Sequence, residues 1–158
     1  MSWIDDDLDE SKRQQQSAAE LAARNSGIAS RAETIYNNIW EELVAQIKDA
    51  KAKGVPSAQH LVTNGDPFDR EIVRGSLGHE IIVPQPAISS RKCVTISLTK
   101  DRLKITISGL RTETLYLLLD LGEDGVVLPK HEGERLTIQG AAKLILRPLL
   151  FPDLYGAN

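Results

Sequence analysis

The chain has 158 residues, enough for one domain with a core of its own, and its 41% apolar and 26% charged content is that of a globular protein rather than a disordered or fibrous one. Aromatics at 4% leave little for base-stacking surfaces or sugar platforms, and a single cysteine excludes an intramolecular disulfide and an all-cysteine metal site. The net charge of −3 is unevenly spread: residues 1–10 hold five acids and no base, whereas residues 91–111 hold six bases and one acid.

The N-terminal "MSWIDDDLDE" has neither the basic nor the apolar region of a signal peptide, and no apolar run approaches a membrane span, so a cytoplasmic, reduced protein is expected. "DDDLDESKRQQQ" has little to bury, and residues 1–17 read as a flexible acidic and Gln-rich arm, or the frayed start of a helix, ahead of a single α+β domain over 18–158. Ser17-Ala18-Ala19-Glu20 has the spacing of a capping box, in which a hydroxyl and a carboxylate satisfy the first free amides of a helix. Ile28, Ala32, Ile35, Ile39, Leu43, Ile47 and Ala50 then recur three or four residues apart, an apolar stripe widened by Tyr36, Trp40 and Val44. Lys51 and Lys53 suit the negative end of that helix, Gly54 its left-handed cap, and Pro56 blocks continuation. Gly27 and a second capping box at Ser30-Arg31-Ala32-Glu33 leave two readings, one helix from about 18 to 53 or a break near 27. Unbroken, it would span roughly 54 Å and overhang a domain whose radius of gyration is about 15 Å.

Residues 55–90 are less legible. "PSAQHLVTNG" suggests a short helix capped by Ser57 and ended at Asn64-Gly65, and Asp66-Pro67 another helix start, while Ile72-Val73 suits a strand. His79 to Val83 reads as a short strand closed by Pro84 and Pro86 at a sheet edge. From Cys93, a small strand residue, the pattern is a hairpin: Val94, Ile96, Leu98, Leu103, Ile105 and Ile107 alternate with polar residues. A turn about Lys100-Asp101 would pair Leu98 with Leu103, Ile96 with Ile105 and Val94 with Ile107, leaving one aliphatic face and one wet one. "ETLYLLLDL" adds a strand, "GEDG" a turn and Val126-Val127-Leu128 a short strand; Thr137 caps a last helix whose Ala141, Ala142, Leu144, Ile145 and Leu149 face inward, with Pro148 arguing for a kink or early stop. The expected fold is thus α+β: a long N-terminal helix, an antiparallel meander of about four to five strands and a C-terminal helix, with both helices on one face of the sheet.

Two His-Glu pairs, in "GHEIIVP" (78–84) and "KHEGE" (130–134), echo half of a metalloprotease signature. His-Glu-x-x-His works because a helix places residues four apart on one face; here position 83 is Val and position 134 is Glu, and the surroundings read as strand and turn, so His60, His79 and His131 read as surface residues in loops. Asp66, Asp69 and Glu71 lack calcium-loop spacing, and neither a phosphate loop nor a nucleophile elbow is present. No catalytic residue, cofactor or metal ligand is assigned, and an enzyme is the lesser expectation.

The basic face Arg91, Lys92, Lys100, Arg102 and Lys104 could follow a phosphate backbone, but it carries no aromatic, and the pI of 5.6 argues against nucleic acid. The expected function is a non-enzymatic protein-interaction or assembly module that uses its N-terminal helix, with Leu21, Ile28, Ile35, Ile39 and Trp40 as contact residues and either another protein or a second copy, in a homodimer, as partner. The alternative is a small-molecule-binding protein or enzyme whose pocket, formed by residues 57–90 and the sheet, would hold His79, His60 or Asp69. A third reading folds "DDDLDE" onto the basic hairpin as an electrostatic switch.

Overall fold

The computed structural model describes residues 2–64, 77–83, 92–110 and 113–155. Helix α1 spans Trp3–Ala52 without interruption. It is followed by a 3-10 turn at Pro56–Ala58, strands β1 (Val62–Asn64), β2 (Leu77–Val83), β3 (Lys92–Leu98), β4 (Lys104–Ser108), β5 (Leu115–Leu121), β6 (Val127–His131) and β7 (Glu134–Arg135), and helices α2 (Ile138–Leu150) and α3 (Pro152–Tyr155). Among the described residues, seven strands form one antiparallel sheet in sequence order, a meander with more strands than the four to five expected.

Helix α1 starts at Trp3, not at Ser17. Ser2 accepts the amide of Asp5 and supplies the cap, and Asp5 and Asp6 sit where the helix dipole favours acids. Pairs one turn apart, Arg13–Glu10 at 3.0 Å, Gln14–Glu10 at 3.3 Å and Gln16–Glu20 at 3.4 Å, support the next turns. Neither internal capping box acts as one: the helix runs through Ser17, and the Ser30 hydroxyl donates back to the Gly27 carbonyl at 2.9 Å. At the far end the expected stop is present. Gly54 has φ 78°, its amide bonds to the Lys51 carbonyl, and that of Val55 to the Ala50 carbonyl, the two bonds of a Schellman cap.

One sheet face is aliphatic. Ile81, Val94, Ile96, Leu98, Ile105, Ile107, Leu117, Leu119 and Val127 point inward, and α1 and α2 lie over them. Thr137 caps α2 through the Gly140 amide at 2.9 Å, as expected. Pro148 does not stop it: the helix runs two residues further, to Leu150, with Pro148 itself buried.

The β3–β4 register differs from expectation by two residues. Ile96 faces Ile107 and Leu98 faces Ile105, so the loop is longer than a two-residue turn. Asp101 explains this. Its carboxylate accepts the Thr99 hydroxyl at 2.6 Å and the Leu103 amide at 3.0 Å, and Arg102 turns the chain with φ 64°. These bonds also hold the Asp101 carboxyl below its usual range, the Thr99 hydroxyl bond first among them. A slip of two keeps every side chain on its expected face.

Around 55–64 the expected short helix is replaced by the 3-10 turn and β1. Strand β2 is not an edge, since β1 pairs on its other side. The expectations for Gly65, Asp66-Pro67, Asp69, Ile72-Val73, Pro84 and Pro86 lie outside the described residues.

Candidate functional site

The two His-Glu pairs resolve first. His79 and Glu80 are successive strand residues, so they point to opposite faces of the sheet. His79 is only 5% exposed and stacks on Trp40, with ring centroids 4.5 Å apart, beneath α1; it is no surface residue. The Tyr36 hydroxyl lies 2.8 Å from both His79 Nδ1 and the Ile96 carbonyl. A hydroxyl has one proton, and the carbonyl can only accept. Tyr36 therefore donates to Ile96, and His79 Nδ1 carries the hydrogen that Tyr36 accepts. Burial pushes the imidazole pKa down and the phenol pKa up, so both groups are neutral near pH 7. In the second pair, His131 and Glu134 face each other across a two-residue hairpin whose Glu132 and Gly133 have φ 51° and 84°, a type I′ turn. Among the described residues, no three His, Cys, Asp or Glu side chains gather as metal ligands would. His60 is exposed, and Asp69 lies outside the described residues, so the pocket reading keeps no converging pair on view.

The helix residues expected at an interface divide sharply. Ile28, Ile39 and Trp40 are 4%, 0% and 8% exposed, and the half-buried Ile35 packs beside them. These four are consumed by the chain's own core because the stripe from Ile28 onward lies flat on the aliphatic sheet face. Leu21 is different, at 58% exposed.

Leu21 belongs to an arm. Every residue from Trp3 to Ala23 is exposed, and the body begins where Arg24 reaches Asp120 at 2.7 Å and Arg31 donates to the Gly125 carbonyl at 2.8 Å. The arm projects about 30 Å at 1.5 Å per residue. It bears Trp3, Ile4 and Leu8 among Asp5, Asp6, Asp7, Asp9 and Glu10. At 100° per residue, Ile4 and Leu8 form one ridge, with Asp7 on one flank and Asp5 and Asp9 on the other.

The expected basic face is dispersed. Arg91 lies outside the described residues, Lys92 is the first residue of β3, and Lys100 is exposed at the hairpin loop. Arg102 turns toward α1 and pairs with Glu33 at 3.0 Å. Glu33 is more than twenty residues along a rigid helix from Asp5–Glu10, roughly 35 Å away, so the hairpin meets the body of α1 and not the acidic tail.

Lys104 instead joins a patch that strand pairing creates and linear sequence hides. On the outer sheet face Leu118 has Lys104 as its register partner on one side and Lys130 on the other. Tyr116 adjoins them, with the Lys104 ammonium 5.0 Å from its ring centre. Tyr116 and Leu118 are about half exposed, and with Lys104, Lys130, Glu132 and Gly133 they line a shallow concavity of about 490 Å³. Among the described residues, neither Lys104 nor Lys130 makes an ion pair and no element covers this face. The alternating pattern does announce an outward face, but Lys130 could be placed beside Lys104 only with the registers known.

Among the described residues, no helix is long and apolar enough to cross a membrane. No protein-family model, curated protein or solved structure matches this chain.

Proposed function

We propose that this protein is a non-enzymatic interaction or assembly module whose contact element is the N-terminal arm of α1, residues 3–23. The observation that carries this reading is that one unbroken helix continues for about six turns beyond the last residue its own sheet covers, with Trp3 73%, Ile4 57%, Leu8 51% and Leu21 58% exposed. A solvated helix of that length is marginal on its own, and four large apolar side chains in water add nothing to the chain's own stability. Both features acquire a purpose when the arm lies against another surface. The partner is a protein, because an amphipathic helix laid on an apolar, oppositely charged surface is a standard mode of protein recognition.

The test is a chain beginning at Arg24, which keeps the Asp120 ion pair and the whole core. Its thermal midpoint should match that of the full chain within about 2 °C, since every residue of the arm is exposed. Its mass by light scattering, or its binding to whichever partner the full chain holds, should fall to that of the lone monomer. Association that survives the deletion would remove the arm as contact element.

A further inference from the structure

The outer sheet face offers a counterpart to the arm. We infer that the arm docks on the Lys104–Leu118–Lys130 patch of a second copy of this chain, so that the protein assembles with itself by exchanging arms. This rests on the reading of the arm as contact element and adds the identity of its receptor.

Three features of the two surfaces agree. The first is charge order. The arm carries an apolar ridge, Ile4 and Leu8, flanked by Asp7 on one side and by Asp5 and Asp9 on the other, whereas the patch carries an apolar centre, Leu118 with Tyr116, flanked by Lys104 and Lys130. The second is size. Strands about 4.8 Å apart set the two lysines roughly 10 Å from each other, about the width of an α-helix with its side chains. A helix seated over Leu118 would therefore bring an aspartate to each lysine. The third is availability: among the described residues the arm is exposed, Tyr116 and Leu118 are about half exposed, and Lys104 and Lys130 are partly exposed. Among the described residues the one carboxylate on the concavity's rim, Glu132, lies within 3.8 Å of His131 Nε2.

Intramolecular docking is closed off by the helix itself. The arm continues α1 rigidly away from Arg24, and α1 lies on the opposite, aliphatic face of the sheet. Only another copy can present its patch to the arm. Reciprocal exchange within a pair closes a two-fold dimer, and one-way exchange builds a chain of copies.

A charge swap on the full-length protein tests this. The full chain should self-associate with a strength that falls as salt rises from about 0.05 to about 0.5 M. The face variant Lys104→Glu/Lys130→Glu and the arm variant Asp5→Lys/Asp7→Lys/Asp9→Lys should each associate at least ~tenfold more weakly. Mixed one to one, the two variants should recover a dimer, because each reversed arm then meets a reversed face. Sedimentation velocity reads all four samples, and circular dichroism checks that both variants fold. A full chain that is monomeric at every concentration, or a mixture that stays monomeric, overturns the inference. Association abolished by starting the chain at Arg24 but untouched by Lys104→Glu/Lys130→Glu would keep the arm and move its receptor elsewhere.

Discussion

Between Ile28 and Ala50, α1 buries a residue at nearly every turn against the sheet; between Trp3 and Ala23, the same helix buries none. Both stretches obey the local rules of a helix, with a cap, dipole-matched acids and pairs one turn apart. Only the second half also obeys the rule that binds a helix to a fold, an apolar stripe wide enough to be covered. The change falls at Gly27, where α1 comes against Leu121. Helix formation and helix packing are thus separable along one element: local rules suffice to build the arm without any packing from its own sheet.

The contrast is broken most directly in the core. Leu43→Ala, at a fully buried site, should cost about 2–5 kcal/mol, whereas Leu21→Ala on the arm should change stability by less than about 0.5 kcal/mol. Urea unfolding of both variants measures this, and equal costs would mean that the arm packs on the body.

Next in size is the buried polar trio. Tyr36→Phe removes the donor to the Ile96 carbonyl and the acceptor for His79 Nδ1, for a loss of about 1–3 kcal/mol. In a His79→Phe background the loss should shrink, since one of the two stranded groups is gone; an unchanged loss would deny the coupling. His79 also predicts a pH dependence. Its folded pKa is depressed below the ordinary 6.5 by burial, so the unfolded chain binds the proton more readily. Stability from this source is complete above about pH 6.5 and declines as pH falls below that value toward the depressed folded pKa. Thermal midpoints between about pH 7.5 and 5.5 should drop for the natural chain and stay flatter for His79→Phe.

The smallest effect sharpens the boundary. Gly27→Ala would place its Cβ 3.7 Å from Leu121, an ordinary contact, and should stabilise the protein by about 0.5–1 kcal/mol through helix propensity. A loss would mean that the helix flexes at Gly27.

Much of this was legible in the sequence where a pattern is local. The stripe from Ile28 to Ala50, the Gly54 cap, the Thr137 cap and the faces of β3 and β4 all follow from periodicity or cap chemistry within a few residues. What failed was decided by competition. Ser17 and Ser30 carry cap spacing, but nothing upstream stops the helix that Ser2 begins, so neither is needed. The hairpin slipped by two because Asp101 folds a wider loop than the Lys100-Asp101 turn assumed. β1 and β7 are too short for any period to show. His79 read as a surface loop residue because a lone histidine in a β-branched run gives no sign of Trp40 and Tyr36, more than thirty-five residues away. The basic patch was half-seen: Lys104 was visible, while Lys130 joins it only through the β4–β5–β6 registers.

Residue-resolved hydrogen exchange on the intact chain, at low and high concentration, tests whether the arm is a contact element and not part of the fold. Amides of residues 6–23 should exchange fast when dilute and become protected as association proceeds, while those opposite the core, from Ala32 to Ala50, stay protected throughout. Arm amides as protected as the core at the lowest concentration, or exchange that never changes while the mass rises, would contradict it.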